Sequence, residues 1–182
     1  MPSTTADENC GSSGSGGGSG GSGGSGGGPG PATVTADYET STASATTSTI
    51  SNQIKLVNNG TSAIPLANLT IRYWFTEDGS QPLEYACDYA PVGCSNVAGS
   101  FATVSPAVTG ADHYLQIGFT SGAGSLAPGA STGGLQNRIY QASYATMTQT
   151  DDYSFNAADT SFTASPVITV YDNGTLIYGT EP

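Results

Sequence analysis

The segment Leu69–Thr76 alternates without a break: Leu69, Ile71, Tyr73 and Phe75 share one face of an extended chain, and Thr70, Arg72, Trp74 and Thr76 share the other. A side-chain period of two is the signature of a strand with one buried face. Glu77, Asp78 and Gly79 end it. Comparable short segments rich in Thr, Val, Ile and aromatic residues recur along the chain, and the spacing predicts strands over 33–38, 48–57, 83–87, 96–104, 113–120, 134–140, 167–171 and 175–178. Turn residues separate them: Asn58, Asn59 and Gly60 tolerate positive φ, and Asp172-Asn173-Gly174 is a strong hairpin signal. No window carries an amphipathic helical repeat. Nine short strands at this spacing predict an all-β fold, an antiparallel nine-stranded β-sandwich.

Ahead of the first strand, residues 11–30 are Gly and Ser apart from Pro29 and hold 13 of the 26 glycines. Such a run cannot bury enough apolar surface to offset its ordering entropy. Residues 1–31 are therefore expected to be a flexible linker and junction, with a root-mean-square span for the Gly/Ser run on the order of 25 Å. Residues 32–182 form the folded domain. Met1–Cys10 has neither the basic nor the apolar region of a signal peptide, so a secreted protein of this kind is expected to carry its signal upstream in a longer parent chain.

Three Lys plus Arg against 14 Asp plus Glu give a net charge of −11. Phosphate backbones and anionic bilayers both call for clustered cations, so neither nucleic acid nor a membrane is an expected partner, and no apolar run is long enough to span one. A neutral ligand or a bound cation suits the balance. One histidine, His113, and three cysteines are too few for a zinc site. Cys87 and Cys94, seven apart, are compatible with a disulfide or with two reduced thiols. Catalysis has little to work with: His113 sits in a strand-like run, and no nucleophile-elbow pattern occurs.

Three groups of residues carry recognisable chemistry. Asp88, Tyr89, Arg138 and Tyr144 combine two tyrosines with an Asp–Arg pair; tyrosine rings stack on sugars, and an acid–guanidinium pair can form a planar platform of hydrogen-bonding groups. Arg72, Trp74, Tyr114 and Gln116 occupy outward positions of two strands, with packing under a loop as the alternative for the aromatics. Thr76, Asp78, Thr148, Asp151 and Asp152 are rich in the hard oxygens that calcium prefers, although no EF-hand loop is present.

The order of the segments resembles the family 3 carbohydrate-binding modules, attached to bacterial cellulases and cellulosome scaffolds. The likeness is carried by Asn58-Asn59-Gly60-Thr61-Ser62-Ala63, Ile71-Arg72-Tyr73-Trp74-Phe75-Thr76-Glu77-Asp78-Gly79, Gly110-Ala111-Asp112-His113-Tyr114-Leu115-Gln116-Ile117-Gly118-Phe119, Leu126-Ala127-Pro128-Gly129, Asp151-Asp152-Tyr153-Ser154-Phe155 and Gly179-Thr180-Glu181-Pro182. The resemblance implies a jelly-roll topology and one structural calcium held by Thr76, Asp78, Thr148, Asp151 and Asp152. It implies a flat cellulose-binding strip at Asp88, Tyr89, Arg138 and Tyr144, with Tyr144 where the family has a Trp. On the opposite face it implies a shallow groove of Gln53, Arg72, Trp74, Tyr114, Gln116 and Tyr153. The Cys87–Cys94 spacing resembles a disulfide of some endoglucanase-linked members. The expected protein is thus a non-catalytic, monomeric, extracellular module that brings a linked glycoside hydrolase to cellulose or a related β-1,4-glucan. Two other readings stand beside it: a non-adsorbing module packed on a catalytic domain, and a scaffold module that recognises protein.

Overall fold

The computed structural model describes residues 33–79 and 82–182; the expected linker over 1–31, and Cys10 with it, lies outside them. Fourteen strands follow in order: β1 (Val34–Thr40), β2 (Thr46–Thr47), β3 (Ile50–Asn58), β4 (Ile64–Pro65), β5 (Leu69–Phe75), β6 (Leu83–Tyr89), β7 (Val97–Val108), β8 (Ala111–Phe119), β9 (Ser125–Leu126), β10 (Leu135–Gln141), β11 (Met147–Thr148), β12 (Thr163–Ala164), β13 (Thr169–Asp172) and β14 (Thr175–Tyr178). Among the described residues there are three short 3₁₀ turns and no α-helix. Each of the nine expected strands is present. The five that alternation did not predict, β2, β4, β9, β11 and β12, are two residues each.

Ten strands make two antiparallel five-stranded sheets, ordered β12-β1-β3-β10-β6 and β14-β13-β5-β8-β7. The chain folds back on itself so that β3 lies beside β10, and β5 lies between β8 and β13. This interleaving of early and late strands is the jelly-roll arrangement. The remaining strands form two small ribbons, β11 with β2 and β4 with β9.

Burial follows the pleat. β1 and β3 alternate buried and half-buried residues along their whole length. In β5, Leu69, Ile71, Tyr73 and Phe75 are fully enclosed, as their shared face requires. Ile54, Leu56, Leu135 and Ile139 of the first sheet meet Ile71, Tyr73, Leu115 and Ile117 of the second in one continuous core. Each such aliphatic or aromatic side chain contributes roughly 1.5–3 kcal/mol when taken out of water. At the β13–β14 hairpin Asn173 and Gly174 have φ of 48° and 81°, the double positive φ of a two-residue type I′ turn.

Candidate functional site

The outward face of the first sheet carries the first group. Along β10 the buried residues Leu135, Asn137, Ile139 and Gln141 alternate with Gln136, Arg138 and Tyr140, which face out. β6 pairs with β10, but the register shifts: Tyr89 stands opposite Gln136 and Cys87 opposite Asn137, which leaves Asp88 as the extra residue of a bulge. A bulge re-aims a side chain. Here it sends the Asp88 carboxylate to the Arg138 guanidinium, Oδ2 to Nε 2.6 Å. That contact makes the guanidinium hold its proton more tightly than usual. The Cys87–Cys94 disulfide forms, with 5.7 Å between the Cα atoms, and closes the loop that includes Asp88 and Tyr89. Tyr89 and Tyr144 are 55% and 56% exposed, and among the described residues they are the two exposed large aromatic side chains. All four residues of the expected strip are thus at the β6–β10 edge or in the turn that follows β10.

The second group lies on the outward face of the other sheet. Arg72 pairs with Gln116 across β5 and β8, and Trp74 pairs with Tyr114. The Arg72 guanidinium carbon lies 4.3 Å from the centre of the Tyr114 ring and 4.2 Å from that of Tyr171. Its Nε donates to Gln116 Oε1 (3.2 Å) and an Nη to the Tyr171 hydroxyl (3.2 Å), while Glu181 approaches to 3.6 Å. Trp74 is only 4% exposed, and its indole N–H donates to Thr169 Oγ1 at 2.9 Å. Of the two readings of Trp74, an open face shared with Arg72 or a packed ring, the structure shows packing: the indole lies, tilted, on Tyr114 at 4.9 Å. Tyr153 borders the cluster, its hydroxyl donating to the Thr180 carbonyl (3.1 Å). Gln53 is not part of it. Gln53 lies on β3 in the first sheet, opposite Gln136 and Glu39, and donates to Glu39 Oε1.

The third group converges where β5 ends. Asp152 is buried; its Oδ1 accepts from the Thr76 N–H (2.9 Å), and its Oδ2 has no partner. Burial, with Asp151, Asp78 and Asp112 nearby, pushes the Asp152 carboxyl up to about 8 against the pull of the Thr76 N–H. The Thr148 N–H donates to Asp78 Oδ2, which ties the turn after β5 to the end of β11, where the next loop begins. Gln149, wholly buried, donates to the Thr42 and Ser44 carbonyls and fixes that loop from behind. Among the described residues no three His, Cys, Asp or Glu side chains converge as a ligand set, so a cation here would draw on threonine hydroxyls and backbone carbonyls as well. The orphaned Asp152 oxygen among like charges fits a bound cation. His113 lies between Asp112 (Nδ1 to Oδ1 2.9 Å) and Glu77 (Nε2 to Oε2 3.4 Å), a structural place.

The family described as cellulose binding domain matches residues 35–179. The chain belongs to the cellulose-binding domain family. A xyloglucanase of Paenibacillus sp is 47% identical over 141 residues, 78% of this chain and 14% of that protein. Exoglucanase-2 of Thermoclostridium stercorarium is 45% identical over 142 residues, 76% of this chain and 15% of that protein. The chain thus spans about 15% of the length of these relatives. The CBM3b module of the major scaffoldin subunit ScaA from Acetivibrio cellulolyticus superposes with a TM-score of 0.80 at 38% identity, covering 82% of this chain and 97% of that one.

Within this cellulose-binding domain two aromatic residues sit beside the expected groups without having been assigned to them. Tyr171 completes the stack around Arg72. Tyr140 lies on the strip face, 5.0 Å from the Tyr144 ring with 7° between the planes. The signal for Tyr140 was in the sequence: it is two residues from Arg138 in a strand, so it must share the same face.

Proposed function

We propose that the domain adsorbs to cellulose through Asp88, Tyr89, Arg138 and Tyr144 and holds a linked glycoside hydrolase at its substrate. The observation that carries this reading is the pairing of the two exposed rings, Tyr89 and Tyr144, with the Asp88–Arg138 pair at one sheet edge. Rings present C–H-stacking faces, and the ion pair on the same edge presents a planar hydrogen-bonding group. A site built largely on strands and pinned by a disulfide needs little ordering when it binds, which favours affinity. Tethering then raises the local concentration of the linked enzyme at a solid surface. The small share of the glucanase relatives that this chain spans suits one module of a larger enzyme.

The test is a pull-down on microcrystalline and amorphous cellulose of wild type against Tyr89→Ala/Tyr144→Ala. Adsorption by wild type and loss in the double variant is the expected result. Adsorption that survives the double variant moves the site elsewhere. Wild type left in the supernatant on both substrates removes adsorption and leaves the enzyme-packing or scaffold reading.

A structural calcium ion held by Thr76, Asp78, Thr148, Asp151 and Asp152 belongs to the same proposal. Support comes from the unpartnered, buried Asp152 oxygen. Exhaustive dialysis against EDTA is expected to lower the melting temperature and readdition of calcium to restore it; an unchanged melt counts against the metal. Extracellular residence is proposed with it, since the Cys87–Cys94 disulfide suits an oxidising compartment.

A further inference from the structure

Tyr144 is held in an unusual way. Its φ is 55°, in the left-handed region that a bulky residue rarely enters, and its N–H donates back to the Gln141 carbonyl at 2.7 Å in a tight turn beyond the end of β10. Backbone in such a conformation persists where its surroundings over-determine it, and it gathers at functional sites. The backbone turn alone leaves χ1 and χ2 of an exposed ring undecided. What the structure places against that ring is Tyr140, parallel to within 7° at 5.0 Å. Tyr140 is itself fixed: it is a half-buried residue within β10, one position before its end, paired with Glu84 of β6, and the Arg138 guanidinium carbon lies 5.9 Å from its ring centre.

We propose that Tyr140 is a positioning residue of the carbohydrate-binding strip, and that it sets the plane in which Tyr144 is offered to a sugar ring. The inference rests on the reading of Tyr144 as a ligand contact. It extends that reading by giving the strip two kinds of aromatic residue. Tyr89 and Tyr144 meet the ligand; Tyr140 lies on the same face, stacked on Tyr144, and acts through it. The tight turn from Gln141 to Tyr144 ends with the Tyr144 ring laid on that of Tyr140, four positions earlier. A parallel stack orients a ring where a general apolar contact does not, because a flat partner favours one plane. The two tyrosines together do the work of one larger ring: the inner one takes its orientation from the sheet, and the outer one meets the solvent.

The experiment is a set of adsorption isotherms on amorphous cellulose for wild type, Tyr140→Phe, Tyr140→Leu, Tyr140→Ala, Tyr144→Ala and Tyr140→Ala/Tyr144→Ala, with a melting temperature for each. The Ala and Leu variants are expected to bind about three- to tenfold more weakly than wild type, the scale of one aromatic pair. Tyr140→Phe keeps a flat ring and restores wild-type adsorption. The double variant binds no more weakly than Tyr144→Ala, since a residue that acts only through Tyr144 has nothing left to position. Tyr140→Leu supplies a folded variant with bulk but no plane. Wild-type affinity in Tyr140→Leu and Tyr140→Ala overturns the inference while the proposed function stands. Losses that add in the double variant overturn it too, because Tyr140 then meets the ligand directly. If wild type fails to adsorb, the proposed function falls and the positioning role falls with it.

Discussion

The chain has three cations, Lys55, Arg72 and Arg138, and each lies near an aromatic ring with a carboxylate partner: Lys55 with Phe162 and Asp37, Arg72 with Tyr114, Tyr171 and Glu181, Arg138 with Tyr140 and Asp88. In so acidic a protein the few positive charges are spent on specific geometry. For Arg138 the shape of the head group matters more than its charge. Arg138→Lys is expected to weaken adsorption several-fold with an unchanged melting temperature, since an ammonium cannot offer a planar fork; isotherms beside a thermal melt check it. A second expectation concerns Tyr85, whose hydroxyl donates to Asn137 Oδ1 at 2.9 Å. Burial, with Asp88 nearby, pushes its phenol from 10.0 up to about 12. The folded state therefore keeps a proton that the unfolded chain gives up, and stability intact below pH 10 should decline as pH rises toward 12. Urea unfolding over that range, with tyrosine absorbance as the ionisation probe, reads the effect. Residue by residue, the faces of β5 were legible from alternation, but what covers a face was not. Trp74 was placed on the correct side of its strand and still came out buried, because Thr169 and Tyr114 reach it from strands distant in sequence. Trp74→Phe, which leaves the Thr169 hydroxyl without its donor, should cost about 1 kcal/mol in a denaturant melt.

At the scale of elements, strands long enough to show a period were readable and two-residue strands were not, since two residues cannot display alternation. The β6–β10 bulge was equally invisible: an extra residue in one strand is defined only against its partner. Yet that bulge decides where Asp88 points. The disulfide matters for the same segment. Its loop is short, so its contribution through chain entropy is modest, about 2 kcal/mol. Because Asp88 and Tyr89 lie inside the loop, Cys87→Ser/Cys94→Ser is expected to lower stability by that amount and to weaken adsorption as well. Equilibrium unfolding and isotherms on the same preparation separate the two effects; unchanged adsorption would show that the bulge alone holds the strip.

For the whole molecule, the sequence indicated a sandwich because its strands are short, one-faced and separated by turns. Which strands become neighbours is a matter of long-range pairing that periodicity does not encode, and Gln53 illustrates the loss: the resemblance grouped it with Arg72, but β3 joined the sheet of the strip and not that of Arg72. Net charge bears on the molecule as a whole. With −11 overall and a neutral ligand, adsorption should stay nearly constant between about 50 mM and 500 mM salt, a range in which phosphate-directed binding collapses; isotherms across that range test it. The two-sheet architecture also sets direction. The Asp88–Arg138 edge and the Arg72–Glu181 cluster belong to the outer faces of opposite sheets, whose backbones are spaced roughly 10 Å apart across the core. A layer of these molecules resting on β6 and β10 is therefore polarised: every copy lies the same way up, with Tyr114, Tyr171 and Glu181 on the solution side, where a label attached at Glu181 would stand clear of the solid.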